Sequence, residues 1–274
     1  MTAVDGEHVA ARIEVLADTE RPGGFLLLID RIRQSYVDLE DPGYLDFEYM
    51  RWFAGAIDSL PAGPLTVTHI GGGAAAMPRW ISASRPGSTH IVLEPDVELT
   101  ELVRRRLPFS RDVRIRIRAR PGRTGIAELR AASADLVILD AFDGGRVPAD
   151  LTTAEFFAET ARVLRPDGVF LANIGDGSAL SYTRRVMAGV RDRVGPGMVI
   201  SEKRVFGGAR FGNVVLVGGP VDPVSIGRTL AAEVFPAQVR AGKSLLGWIG
   251  SAAPFTDADS SRSPVPPEAS WRVN

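Results

Sequence analysis

The stretch ADLVILDAFDGG, residues 134–145, ends an apolar run on a carboxylate, Asp140, and places a second, Asp143, three residues on. Acids at the end of a buried strand could bind a cationic amine and take its proton. For Asp143, which precedes Gly144 and Gly145, the shaping of a turn is the competing role. A second feature lies upstream, where the apolar run 65–70 meets Gly71, Gly72 and Gly73. Glycines there let a turn reach positive φ and let a ligand approach bare backbone. A third is Glu94, which closes the run HIVLE about 20 residues later, where an acid accepts hydrogen bonds from ribose hydroxyls. Glycine turn and acid together describe a site for an adenosine-type nucleoside. The dinucleotide pattern G-x-G-x-x-G is met only in part, since Ala76 holds its last position. The following helix starts on an apolar, Ala-rich segment, which suits a thioether better than a pyrophosphate, so an S-adenosyl compound fits better than a nicotinamide one.

For these groups to face one crevice, strands must alternate with helices. Strand patterns cover 65–70, 89–94, 112–119, 134–142 and 168–174. Helical patterns lie between them at 74–84, with Pro78 in the first turn, and at 96–107, 125–131 and 152–164, the last opening on a threonine cap. This alternation predicts a doubly wound, Rossmann-like α/β sheet, with ligands bound beyond the carboxyl ends of its strands. Two later apolar runs, 197–205 and 213–219, predict a closing hairpin at one edge. Before the sheet, ARIEVLAD, GFLLLID and QSYVDLE, broken by RPGG and DPG, predict a small antiparallel meander. A helix follows over 44–60, with Phe47, Met50, Phe53 and Ala54 on one side. The expected organisation is an N-terminal β region over 1–43, a nucleoside-binding α/β domain over 44–250, and a mobile Pro-, Ser- and Asp-rich tail over 251–274.

Composition removes several classes of function. A formal charge of −1 offers no global field for nucleic acid or an acidic membrane. The alternating arginines of RIRIRAR, residues 114–120, read as the solvated face of a strand. With no cysteine, thiolate catalysis and cysteine-based zinc sites are excluded, and His8, His69 and His90 lack ligand spacing, so no metal is expected. No apolar stretch approaches the ~20 residues of a membrane helix. The first residues lack the apolar core of a signal peptide, so the expected location is the cytoplasm.

From about Ile29 to Gly219 the chain resembles the spermidine synthase family, the polyamine aminopropyltransferases. DAFDGGRVPADLTTAEFF is most similar to the spermidine-synthase-like branch common in bacteria. The resemblance implies an S-adenosylmethionine-methyltransferase-type sheet after a small β region, and a homodimer. LLLIDRIRQSYVD is similar to the family's LxLDGxxQ opening, which puts Gln34 in the nucleoside pocket. FEY puts Tyr49 where the family has a substrate-contacting tyrosine, and Glu94 at the ribose-binding acid. ILDAFD resembles D-x-x-D, in which Asp140 would deprotonate the attacking amine and Asp143 would hold it. The co-substrate would be decarboxylated S-adenosylmethionine, with S-adenosylmethionine as the alternative, and no metal.

Several positions depart from the family pattern. Ala74 replaces the Asp of GGGDG, Met50 and Arg51 replace the polar and acidic residues after the tyrosine, and Pro121 replaces the Asp of DG. KRVFGGARFGN stands in place of P-x-Y-P-x-G. Fewer acids and an added arginine should weaken binding of a dication, so putrescine is expected to be a poor acceptor. Three readings follow: an aminopropyltransferase-like enzyme, a catalytically inactive homologue that binds a nucleoside or a partner protein, and a small-molecule methyltransferase.

Overall fold

The computed structural model describes residues 13–177, 179–232 and 236–267. His8 and the first residues of the expected meander lie outside them, as do residues 268–274 of the expected tail. The chain opens with strands β1 (Ile13–Ala17), β2 (Gly24–Ile29) and β3 (Ile32–Asp38), which form an antiparallel sheet in that order. Helix α1 (Glu48–Asp58) leads into β4 (Thr66–Ile70), α2 (Ala76–Ser84), β5 (Thr89–Leu93), α3 (Val97–Arg106), β6 (Arg114–Arg118), α4 (Gly122–Ala127) and β7 (Ala134–Leu139). A 3-10 turn (Ala149–Leu151), α5 (Ala154–Val163), β8 (Leu164–Asp176), α6 (Ser181–Arg193), β9 (Gly197–Ser201), α7 (Lys203–Phe206) and β10 (Gly212–Gly218) follow. The last elements are α8 (Pro223–Ala231), β11 (Gln238–Ala241) and α9 (Gly242–Ile249).

The second sheet has eight strands in the order β11-β9-β10-β8-β7-β4-β5-β6, with β6, β5, β4, β7 and β8 mutually parallel. This is the expected α/β sheet. The chain winds outward from β4 to β6 and then returns to β7 beside β4, so the crevice between those two strands is the switch point. The expected hairpin forms, with Val215 of β10 opposite Ile200 of β9, but its first strand stops at Ser201, and 203–205, expected as strand, belong to α7. The hairpin is not the edge, however, because β11 pairs outside β9. Four residues are too few to show a period, and β11, α6, α8 and α9 have no counterpart among the expected elements. Helix α4 starts three residues earlier than its pattern, at Gly122 directly after Pro121, which holds an extended φ −57°, ψ 145° as the cap. Pro78 lies in the first turn of α2, and Thr153 caps α5 through its hydroxyl and the Phe156 N–H.

Two apolar layers sandwich the large sheet. On one face Trp52, Phe53 and Ile57 of α1 pack with Trp80 and Ile81 of α2 and Leu230 of α8 over Val67, Leu136 and Val215. On the other, Phe156 and Phe157 of α5 and Trp248 of α9 pack over Val137, Phe170 and Leu216. Arg114 and Arg116 of β6 are exposed, whereas Arg118 is half-buried. Residues 251–267 lie against the body: Phe255 is buried beside Tyr182, Asp257 accepts from the Thr153 hydroxyl at 2.7 Å, and Ser263 is fully buried. Helix α1 carries Tyr49 into the site, and Phe53, one turn on, is its fully buried anchor, edge-on to the Tyr49 ring at 5.7 Å. Phe53→Ala should cost about 3–5 kcal/mol, as large aromatic deletions in packed cores do. Chemical denaturation measures this, and a loss below about 1 kcal/mol would mean that α1 is not anchored by this ring.

Candidate functional site

Strand β4 ends at the glycines because the neighbouring chain leaves no room for a side chain. Gly71 has φ +98°, and a Cβ there would lie 2.2 Å from the Asp140 carbonyl oxygen. Its N–H donates to the Leu93 carbonyl at 3.0 Å, while Asp140 N–H donates to Ile70 at 2.9 Å. The ends of β5, β4 and β7 are thereby tied together across the switch point. Gly73 is also left-handed, at φ +47°, and Ala75 follows at φ +58°, a strained value for a residue with a side chain. The Gly72 N–H donates to Glu94 Oε2 at 2.8 Å, and Asp96 N–H donates to Oε1 at 3.0 Å. Two of the roughly four acceptor positions of that carboxylate are taken, and the others remain for a ligand. Burial raises the pKa of Glu94, against backbone N–H bonds that lower it.

Asp140 follows the buried Leu139 at the end of β7. The Tyr49 hydroxyl donates to its Oδ2 at 2.9 Å, and the Asn173 amide donates to its Oδ1 at 3.1 Å. Burial lifts its pKa to about 6, and the bonds from Asn173 and Tyr49 hold it back from a larger rise. Burial and the neighbouring Asp140 push the Tyr49 hydroxyl well above its ordinary value, so it stays a donor. Tyr49 is only 4% exposed and is not part of the cavity wall, so the structure brings it to Asp140. Asn173 was not among the expected site residues; a lone amide in the apolar run GVFLANI is its only sequence signal.

A cavity of about 440 Å³ opens between the glycine turn, Glu94, Asp140 and the β2–β3 hairpin, a size suited to a nucleoside. Gln34 reaches it through a β-bulge. Leu27 pairs with Ser35 and Leu28 with Arg33, so Gln34 is the extra residue whose side chain is redirected. The hairpin turn holds Asp30 and Arg31 at φ +49° and +63°, a two-residue turn that brings Asp30 to the cavity wall. Six carboxylates line the cavity (Asp30, Glu94, Asp96, Asp140, Asp143 and Asp150), and among the described residues no lysine or arginine does. Met50 and Pro121 also line it, whereas Ala74 is fully buried in the core. His69 and His90 are in contact, at 3.1 Å between ring nitrogens, and burial keeps both below the ordinary histidine range.

Asp143 is exposed and lies on the same wall. Its backbone closes a small turn with Arg146, and its carboxylate pairs with the guanidinium of Arg262. The turn-shaping role is therefore visible at this residue, which also lines the cavity. Arg262 had no sequence signal as a site residue, being 119 positions away in a polar segment.

No family model matches the chain. Polyamine aminopropyltransferases from Neisseria meningitidis and Chromobacterium violaceum are 27% and 29% identical over 165 residues, which make up 59% of this chain. The match spans 62% of the length of each of those relatives. A probable spermidine synthase from Corynebacterium glutamicum superimposes with a TM-score of 0.85 at 32% identity, over 93% of this chain and 97% of that one. The spermidine synthase of Thermotoga maritima, with a TM-score of 0.58 and 17% identity over 89% of this chain and 82% of that one, shares the fold. So does human methyltransferase-like protein 13, with a TM-score of 0.53 and 20% identity over 65% and 83%. No described helix is long and apolar enough to cross a membrane. Identity of this level over nearly the whole length of a solved relative, with the glycine turn and both acids facing one crevice, means that the chain belongs to the spermidine synthase family of polyamine aminopropyltransferases.

Proposed function

We propose that this chain transfers an aminopropyl group from decarboxylated S-adenosylmethionine to an amine. The observation that carries this reading is the Asp140 carboxylate, held by Tyr49 and Asn173 across the cavity from Glu94, with the glycine turn between them. Glu94 would accept from the ribose hydroxyls, Gln34 would line the nucleoside, and Gly71 to Gly73 would leave room for the thioether side. The acceptor nitrogen attacks the propyl methylene beside the sulfonium. The new C–N bond forms as the C–S bond breaks, its electron pair passes to sulfur, and neutral methylthioadenosine leaves. The sulfonium brings its own positive charge as leaving group, so the reading invokes no metal.

Alkyl amines are almost wholly protonated near neutral pH, with pKa values near ~10. Asp140, at about 6, is ionised there yet more basic than an ordinary carboxylate, which suits it to take the amine's proton. In this reading Tyr49 acts through Asp140 as a positioning residue, and Asp143 lies on the acceptor side. The acidic lining favours a doubly cationic donor over S-adenosylmethionine, whose carboxylate would meet no basic side chain of the lining. By the same family resemblance the working unit would be a homodimer.

Glu94→Ala should weaken methylthioadenosine binding by about 1–3 kcal/mol in calorimetry, because ribose hydroxyls lose their acceptor. Unchanged affinity would contradict the ribose role. Asp140→Asn should keep nucleoside binding and cut turnover by about 10²–10⁴-fold, the range for loss of a general base. Full turnover by that variant would remove Asp140 from the chemistry.

The same residue makes a prediction about stability. Its folded pKa of about 6 exceeds the ordinary 3.8, so the folded protein holds the proton more tightly than the unfolded chain. The group's contribution is fully present below about pH 4 and is lost as pH rises through about 6. The melting temperature of Asp140→Asn relative to wild type should therefore climb across that window. A difference that stays flat with pH would show that Asp140 titrates normally.

A further inference from the structure

Of the two acids on the acceptor side, Asp143 already has a cation. Arg262 donates to its Oδ2 from a C-terminal strap that crosses the loop after β7. An exposed ion pair is weak by itself. Here the backbone that carries Arg262 is held in place. The fully buried Ser263 accepts from Val147 N–H through its hydroxyl at 2.8 Å and donates its own N–H to the Val147 carbonyl at 3.2 Å. Arg146 donates to the Ser263 carbonyl at 2.6 Å and to the Arg262 carbonyl at 3.3 Å. The strap thus delivers a positive charge beside Asp143 whether or not the pair itself is closed.

We propose that Arg262 is a specificity-determining residue: by neutralising Asp143 it makes the acceptor side select an amine with one protonatable nitrogen over a diamine. The inference rests on the reading of the site as one of aminopropyl transfer. In that reading the reacting nitrogen gives its proton to Asp140. The second ammonium of a diamine then needs a carboxylate of its own to leave water. Glu94 and Asp96 are engaged on backbone amides beside the glycine turn, and of the other lining acids Asp143 is the one carried on the same loop as Asp140. With a guanidinium paired to it, a second ammonium meets a like charge where a free carboxylate would have welcomed it. That is discrimination by repulsion.

Calorimetric titration of butylamine and 1,4-diaminobutane, with and without saturating methylthioadenosine, tests this on wild type, Arg262→Ala and Arg262→Lys. Wild type should bind butylamine at least as tightly as the diamine. Arg262→Ala should gain about tenfold or more in diamine affinity while its butylamine affinity moves by less than about twofold. Arg262→Lys, which keeps the charge, should behave as wild type. Unchanged diamine affinity in Arg262→Ala, a tenfold-scale preference for the diamine in wild type, or no binding of either amine by any of the three would overturn the proposal. Titration with methylthioadenosine alone separates the two readings. Its failure counts against the nucleoside site, while the amine titrations without nucleoside still report on Arg262.

Discussion

The Asp140 carboxylate sits where β7 leaves the core, with the Tyr49 hydroxyl on one oxygen and the Asn173 amide on the other. A carboxylate taken out of water at a strand end is costly, and two donors from distant elements offset part of that cost. Tyr49 comes from the start of α1 and Asn173 from β8, so the helix before the sheet and the strand beyond β7 each supply one of its donors. On its other side the same residue's backbone carbonyl closes over Gly71, where no side chain fits. One residue therefore meets the glycine turn, α1 and β8 at a single point.

The two ends of the cavity use carboxylates differently. At the glycine-turn end Glu94 is held by the N–H groups of Gly72 and Asp96, so its remaining acceptor positions are aimed by backbone and not by a flexible partner. At the other end the acids depend on side chains: Asp140 on Tyr49 and Asn173, Asp143 on Arg262. The backbone-aimed end suits a feature common to every adenosine ligand. The departures at Met50, Ala74 and Pro121 fall in or beside the same cavity.

Much of this was legible in the sequence for local reasons. The alternation of strand and helix patterns from Leu65 to Ile174 fixes a parallel sheet, and that fold brings the turn after β4, the end of β5 and the end of β7 to one edge. Gly71, Glu94 and Asp140 could be placed together on that basis alone. Gln34 came from the resemblance, but the bulge that turns it inward depends on pairing between β2 and β3 and has no signature in either strand. Asn173 was hidden because a single polar residue in a buried strand carries no spacing. The strap was hidden for a different reason: composition describes solubility, whereas Ser263 and Arg262 act through contacts 116 and 119 residues away. The short edge strand β11 escaped because pairing with β9, and not its own pattern, makes it a strand.

A cavity that takes a cationic aminopropyl donor, lined by six carboxylates and, among the described residues, no lysine or arginine, should discriminate in parallel calorimetric titration between decarboxylated and ordinary S-adenosylmethionine. The two ligands differ by one carboxylate, which in this cavity would face acids and lose its hydration without a basic side chain to replace it. The account predicts that the decarboxylated compound binds tighter by about tenfold or more, a difference of about 1.4 kcal/mol. Equal affinity, or tighter binding of ordinary S-adenosylmethionine, would contradict it and point to methyl transfer instead.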